Sequence, residues 1–586
     1  MSPTSETLTK EQVRIVEHKG CAFVSACPGA GKTRVLVERA RVLLKDSSTG
    51  KGVAFLSFTN AAVSEFEQRL RREGLLPTPA FPHFVGTFDG FLWQFLVAPF
   101  GVQGCEETPR LIPDMKGILV RPYEKAQPLP LSCFDRTTGE IITEEARRLG
   151  FDPDKKRAHQ AKAYSTTAAK IRQRCRTRGQ LDLDDVRALA EERLNDDALS
   201  SKPAGALAAR FREIVVDEAQ DCNPKDLAII QWLRDAGIAT KVICDPHQSI
   251  YGFRGGVTKE LDDFGDTFDA SQRLSMSGNF RSSKPICKAI VALRPKHARA
   301  NSDHAVGKYR SVNTPVHILA YPGSGVPASV GAKFREMVES EGLEVSNCPV
   351  LASTWDSARK AIGQPARSAR QDLTLRLAAA VSSFHGNFET GNRRTALEDV
   401  HRVVLELEGK LDGRTYRQYL DAEGLGPGAW RPRILKIVCD LRYDPDAFPS
   451  PDAWLEQARA LLEPYLPDDG RTISQRLKRN RDLSSVLVTP GAADLVAMSI
   501  HAAKGREFPG VCVVMTSSTA KGILEYLETG APVESAEEAR KTYVAASRAQ
   551  RLLCIAIPKS QADRLEAHLR STGTPVERCA LTLENP

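Results

Sequence analysis

Ser25-Ala-Cys-Pro-Gly-Ala-Gly-Lys-Thr33 is preceded by the apolar run Cys21-Ala-Phe-Val24 and followed by Arg34-Val-Leu-Val-Glu-Arg-Ala-Arg-Val-Leu-Leu44. The first run reads as a short buried strand, and the apolar spacing of the second predicts a helix. Strand, small-residue loop, Gly-Lys-Thr and helix form the arrangement of a phosphate-binding loop. Small residues let successive backbone N–H groups turn inward around an anion. The helix N-terminus adds partial positive charge. Lys32 can reach the β- and γ-phosphates, and Thr33 can place its hydroxyl on Mg2+. An ordinary glycine-rich turn before a helix explains Gly29 and Gly31, but not Lys32 and Thr33 in register.

A chain of 586 residues is too long for one core and predicts several domains. Its net charge of +8 is compatible with a nucleic-acid partner without requiring one. The 13 cysteines are scattered, with no Cys-x-x-Cys pair and no zinc-like Cys/His spacing. Reduced thiols in a cytoplasmic protein are the expectation. No apolar run approaches the ~18 residues of a membrane span, and Met1-Ser-Pro-Thr-Ser-Glu lacks the features of a signal peptide.

Leu8-Thr-Lys-Glu-Gln12 opens a helix with Thr9 as N-cap. The Gln12 amide, one donor and one acceptor, matches an adenine edge; alone it would read as a surface residue, but it stands just before the loop. Val53-Ala-Phe-Leu-Ser-Phe58 and Phe84-Val-Gly-Thr-Phe88 are strands ending in small polar residues, Thr59-Asn60 and Asp89-Gly90. Both ends should lie on the ligand-binding side of a parallel sheet. Phe58 is a candidate base-stacking platform, whereas Phe88 reads better as core. From about Trp93 to Ala204 the pattern becomes irregular and helical. Its basic run, Lys155 to Arg178, fits either phosphate contact or a solvated helix face.

Glu213-Ile-Val-Val-Asp-Glu-Ala-Gln-Asp221 returns to the sheet. Asp217 at the strand tip is placed to hold Mg2+, and Glu218 to polarise the attacking water. A further strand ending at Asp245 leads into Pro246-His-Gln-Ser-Ile-Tyr-Gly-Phe-Arg-Gly-Gly256. Gln248 can sense the γ-phosphate or the attacking water there, and Tyr251 and Phe253 are loop aromatics with little to pack against. In Leu274-Ser-Met-Ser-Gly-Asn-Phe-Arg-Ser282, Phe280 could stack on adenine and Arg281 reach phosphate. A second α/β region begins near Val316, is interrupted over 366–485 by a helical, arginine-rich stretch, and resumes at Leu495. It holds His501-Ala-Ala-Lys-Gly-Arg-Glu-Phe508 and a helix carrying Tyr543 and Arg548, and ends in Leu552-Leu-Cys-Ile-Ala556 with nothing recognisable beyond.

The order of these motifs resembles superfamily 1 DNA helicases of the UvrD/PcrA/Rep type. The matching segments are Gln12, Ala26 to Thr33, Ser57 to Asn60, Gly86 to Phe88, Asp217 to Asp221, Gln248 to Gly255, Asn279 to Ser282, His501 to Phe508 and Tyr543 to Ala549. The resemblance implies an α/β fold of two RecA-like parallel-sheet domains of the P-loop NTPase kind, each with a mainly helical insertion. The expected boundaries are 1–92 with 205–290, and 291–365 with 486–586, for the sheet domains, and 93–204 and 366–485 for the insertions. It implies ATP and Mg2+ as cofactors, with Ala26, Gly29, Gly31, Lys32 and Thr33 around the phosphates and Thr33 and Asp217 at the metal. Glu218, Gln248, Arg281 and Arg548 would act with Lys32 in hydrolysis. Gln12, Arg34 and Phe280 would surround adenine, and Glu507 would hold the ribose. Phe58, Asn60, Thr87, Tyr251, Phe253 and His501 would face or couple to single-stranded DNA, travelled 3′ to 5′.

Departures are Cys27-Pro28 in the loop, Ser57 and Ala61 in the DNA-contacting motif, Asp89, and Arg506 where leucine is usual. None removes a catalytic group. The second insertion and tail are short, and no nuclease motif follows. This compact plan is similar to the helicase subunit of Gabija-type antiphage systems, which implies an OLD-family nuclease as a possible partner. DNA repair and phage defence are both open. The reduced insertion also leaves open a nucleotide-gated DNA sensor that activates a partner nuclease and unwinds little alone.

Overall fold

The computed structural model describes residues 8–582, apart from 46–49, 106, 113–117, 125, 137, 150, 156, 251–257, 300–302, 365–371, 387–392, 412–415, 445–446, 482 and 488–494. By its contacts the chain forms two compact units. Met1–Leu96, Ala190–Ala366 and Ala492–Pro586 make the first, and Val97–Leu189 with Arg367–Gly491 the second.

The first unit is built on two six-stranded sheets whose named pairings are all parallel. Strands β1 (Ala22–Ala26), β2 (Gly52–Ser57), β3 (Phe84–Thr87), β4 (Phe211–Val216), β5 (Ala239–Cys244) and β6 (Arg273–Met276) lie in the order β6-β1-β5-β4-β2-β3. Every residue of β2 and all but one of β1 are buried, as expected of strands covered on both faces. Helices α1 (Lys10–Glu17), α2 (Lys32–Lys45) and α3 (Asn60–Arg72) connect or flank them. Val35, Val37 and Ala40 of α2 pack with Val24, Val53, Phe55 and Val215 of the sheet. Near the amino ends of the strands, Glu213 accepts from Arg39 Nε (2.9 Å) and pairs with Lys241 (3.1 Å), so three buried charges tie α2 to β4 and β5.

The second sheet comprises β7 (Val316–Tyr321), β8 (Val350–Ala352), β9 (Ala497–Ser499), β10 (Phe508–Val514), β11 (Ala549–Pro558) and β12 (Val576–Ala580), in the order β9-β8-β10-β11-β7-β12. The end of the chain corrects the sequence reading. Past Ala556 a helix, Lys559–Arg570, leads to β12, which pairs with β7. As an edge strand with exposed Glu577 and Arg578, β12 lacks the continuous apolar run that marks the central strands.

The second unit is mainly helical. Leu377, Val400, Trp430, Ile434 and Trp454 belong to one core cluster, and Val120, Phe134, Phe151 and Tyr164 to another. The helix Ala158–Thr177 carries much of the basic run. Lys162, Lys170, Arg174 and Arg176 are exposed on it, while Arg172 turns inward and donates to the carbonyls of Leu131 (3.0 Å) and Phe134 (2.9 Å). No helix among the described residues is long and apolar enough to cross a membrane.

Candidate functional site

The phosphate loop leaves β1, an interior strand of the first sheet, where the carboxyl ends of β1, β5 and β4 lie side by side. Gly29 and Gly31 have φ of 70° and 77°, a conformation that costs other residues dearly. A Cβ on Gly29 would stand 2.7 Å from both Arg281 Cβ and Asn279 Oδ1. The loop is therefore pressed against the Asn279-Phe280-Arg281 segment, and the Phe280 N–H donates to the Gly29 carbonyl (2.8 Å). Around Gly31 converge Gln12 Nε2, Arg34 Cβ and a ring carbon of Phe280, at 3.0, 3.9 and 3.9 Å from where a Cβ on Gly31 would stand.

Thr9 and Gln12 form a reciprocal cap on α1. Gln12 Nε2 also donates to the Ala30 carbonyl (2.9 Å), so the buried amide braces the loop. One N–H and one lone pair of that amide are left over from these bonds, which matches the donor-plus-acceptor requirement of an adenine edge.

Lys32 Nζ lies 3.0 Å from Glu218 Oε2. Burial works against the charge on Lys32, but Glu218, Asp217 and Asp245 outweigh it and raise the ammonium pKa. Burial likewise opposes the Glu218 charge, yet Lys32 and Lys504 bring its carboxyl down to about 2. Glu218 is the one non-glycine residue among those described with a positive φ, 57°. Such left-handed backbone is costly and clusters at functional sites. Asp217 has the opposite electrostatics. Burial, then the charge of Glu218, pushes it up to about 7, and its buried Oδ1 has no hydrogen-bond partner. An orphaned buried carboxylate oxygen beside a phosphate loop fits a divalent cation held with the Thr33 hydroxyl.

The second sheet supplies the opposite wall. Arg548 Nη2 donates to Gln248 Oε1 (2.7 Å), and Gln248 Nε2 donates to Asp245 Oδ2 (2.8 Å). Arg281 Nη1 donates to the Ser547 carbonyl (2.8 Å), and its Nη2 pairs with Glu507 (2.7 Å). Burial, then the neighbouring Arg281, lowers Arg548 to about 9. Two guanidinium groups so placed form an anion-receptive wall. Glu507 is held below the usual carboxylate range: burial opposes this, but Arg281 overrides it. Lys32 and Arg548 have Glu218 and Asp245 in common as neighbouring charges, so both border one shared region.

Phe58 is half-buried and stacks on the fully buried Phe88, with centroids 5.3 Å apart and planes at 18°. Asn60 is exposed at the start of α3. Thr87 accepts from the Gly90 N–H (3.0 Å) and caps the short helix Phe88–Phe91. His501 Nε2 lies 3.1 Å from the Ile250 carbonyl, linking the second sheet domain to the loop after β5. Tyr251 and Phe253 lie outside the described residues.

Several polar residues of the cleft were not singled out from sequence. Lys504 Nζ contacts both oxygens of Asp221 at 2.7 Å, with side-chain exposures of 10% and 2%. Gln220 donates to Glu218 and accepts from the Asp245 N–H (3.0 Å). Glu11 accepts from the backbone N–H and hydroxyl of Ser277 (2.8 and 2.9 Å), tying α1 to the Phe280 segment. Lys504, Gln220 and Asp221 stand inside the quoted motifs, which was their signal; Glu11 had none.

Comparison with known proteins agrees with this geometry. The family of the UvrD/REP helicase N-terminal domain matches residues 8–269, and that of the UvrD-like helicase C-terminal domain matches 483–560, together more than half of the chain. The ATP-dependent DNA helicase UvrD1 of Mycobacterium tuberculosis (strain ATCC 25618 / H37Rv) is 24% identical over 641 residues, covering 94% of this chain and 82% of that protein. DNA helicase II of Escherichia coli (strain K12) is 25% identical over 446 residues, covering 73% and 58%. The putative ATP-dependent DNA helicase YjcD of Bacillus subtilis (strain 168) is 24% identical over 371 residues, covering 60% and 46%. With the phosphate loop and both arginines facing one cleft between two parallel sheets, these matches show that the chain belongs to the UvrD-type superfamily 1 helicases, ATP-dependent enzymes of DNA.

Proposed function

We propose that the protein is a DNA-stimulated ATPase that moves 3′ to 5′ on single-stranded DNA and unwinds duplexes ahead of it. The observation that carries this reading is the Arg548–Gln248–Asp245 connection, in which an arginine of the second sheet domain bonds a glutamine of the first just beyond the carboxyl end of β5. ATP would lie between the sheets, its phosphates on residues 26–33 and its adenine among Gln12, Arg34 and Phe280. Thr33 and Asp217 would hold Mg2+, which when bound neutralises charge on the phosphates.

Glu218 is ionised at neutral pH and starts paired to Lys32. When phosphate oxygens take over the Lys32 hydrogen bonds, the Glu218 carboxylate is released to orient water. Arg281 and Arg548 stabilise the developing charge while the cleft is closed, so hydrolysis depends on closure. Phe58, Tyr251 and Phe253 would grip bases by stacking, which tolerates any sequence. His501, bonded to the Ile250 carbonyl, would transmit the state of the cleft to the DNA.

The compact second insertion supports a role in phage defence beside an OLD-family nuclease, whereas similarity to UvrD1 and DNA helicase II supports the helicase activity itself and is equally at home with a role in repair. Strand displacement on 3′- and 5′-tailed duplexes tests the motor. Displacement of the 3′-tailed substrate, lost in Lys32→Ala and Glu218→Gln, is expected. DNA-stimulated hydrolysis without displacement on either substrate would favour the nucleotide-gated sensor.

A further inference from the structure

Both cleft arginines trace back to one ion pair outside the family motifs. Arg294 follows the helix Lys284–Ala292 and pairs with Asp303, their side chains 5% and 4% exposed. Asp303 immediately precedes the short strand His304–Ala305, which pairs in parallel with Gly278–Asn279. The His304 N–H donates to the Ser277 carbonyl and the Val306 N–H to the Asn279 carbonyl, both at 2.9 Å. Gly307 approaches so closely that a Cβ there would lie 1.8 Å from the Phe280 carbonyl oxygen. The segment that Asp303 begins is thus the bed on which Asn279-Phe280-Arg281 rests.

The other partner faces the second sheet domain. Arg294 Nη2 donates to the Tyr543 hydroxyl (3.3 Å), with its guanidinium 5.6 Å from the ring centroid. That hydroxyl donates in turn to Asp245 Oδ2 (3.3 Å). Asp245 holds Gln248, and Gln248 holds Arg548. A phenol can accept from arginine and donate to a carboxylate at once, which phenylalanine cannot.

We infer that the Arg294–Asp303 pair is the common anchor of the two cleft arginines, with Asp303 setting the bed of Arg281 and Arg294 setting Arg548 through Tyr543, Asp245 and Gln248. Arg294, Asp303 and Tyr543 are positioning residues; none need touch the nucleotide. The inference rests on the proposed roles of Arg281 and Arg548 in hydrolysis.

The test is steady-state ATP hydrolysis with saturating single-stranded DNA, together with thermal unfolding. Tyr543→Phe preserves the packing of the ring. It should lower kcat about tenfold, the scale of one or two lost hydrogen bonds, with KM for ATP within about twofold of wild type. In an Arg548→Lys background the same change should cost less than about twofold more, because members of one chain are not additive. Asp303→Asn should lower kcat with or without the Arg548 change, since it also disturbs the Arg281 bed. A Tyr543→Phe protein with wild-type kcat, or one whose loss is undiminished in the Arg548→Lys background, overturns the inference. The proposed function fails separately, if wild-type protein hydrolyses no ATP or if Arg548→Lys leaves kcat unchanged.

Discussion

Lys504→Met removes the cation from the buried Lys504–Asp221 contact that joins the two sheet domains. At 2.7 Å to both oxygens, with an effective dielectric near 20, the attraction is about 6 kcal/mol before desolvation. Breaking such a pair on one side usually costs about 3–5 kcal/mol, because the remaining charge stays buried. Asp221 is already pushed up, first by burial, with Lys504 pulling it down and Glu218 adding to the rise. Without Lys504 it has two escapes: opening of the cleft, or protonation. Opening by about 3 kcal/mol lowers the closed population roughly 100-fold and kcat/KM for ATP with it. Protonation relieves the strain, so the defect should shrink as pH falls from about 8 to 6. The assay is DNA-stimulated hydrolysis across that range for both single variants and for Asp221→Asn/Lys504→Met. The double variant should recover at least about tenfold over Lys504→Met, since no charge is stranded. A single variant within twofold of wild type, or a double variant losing the sum of both singles, refutes the reasoning.

Gly29→Ala would force a side chain into left-handed backbone, 2.7 Å from Arg281 Cβ and Asn279 Oδ1. Binding of a fluorescent ATP analogue should weaken by at least tenfold, with unfolding at lower temperature, on the scale of about 1–3 kcal/mol of backbone strain. The Asp217 carboxyl, raised to about 7, binds a proton in the folded state that it has lost in the unfolded state between about pH 4 and 7. Its contribution therefore falls as pH rises through that window. In chelator the thermal midpoint of wild type should drop more than that of Asp217→Asn between pH 5 and 7.5, and Mg2+ should reverse the drop; parallel curves would contradict it. Phe58→Ala should cost about 1–3 kcal/mol in single-stranded DNA affinity by fluorescence anisotropy, while hydrolysis without DNA stays unchanged. Its ring has one face on Phe88, so unchanged affinity would assign it to packing alone.

The legible parts of the chain were those with short-range signatures. Val53 to Leu56, Ile214 to Val216 and Val511 to Val514 are continuous β-branched and apolar runs, and buried parallel strands demand them. Thr9 and Gln12 announce a cap because the two residues that bond are three apart. Edge strand β12 left no such trace, since its exposed side needs no apolar residue. The second insertion could be read as helical but not as a core: which of its apolar residues meet Trp454 depends on packing between helices.

The amino-acid sequence by itself determined that a phosphate loop, an acidic strand tip and two arginines exist in an order suited to two parallel sheets, because each is written in adjacent residues. Only the tertiary structure decided which charges meet. Glu218 beside Lys32, the orphaned oxygen of Asp217, Lys504 on Asp221, and the line from Asp303 to Arg548 join residues up to 300 positions apart. Whether a carboxyl titrates near 2 or near 7 follows from burial and a neighbour's charge, and neither exists until the chain has folded.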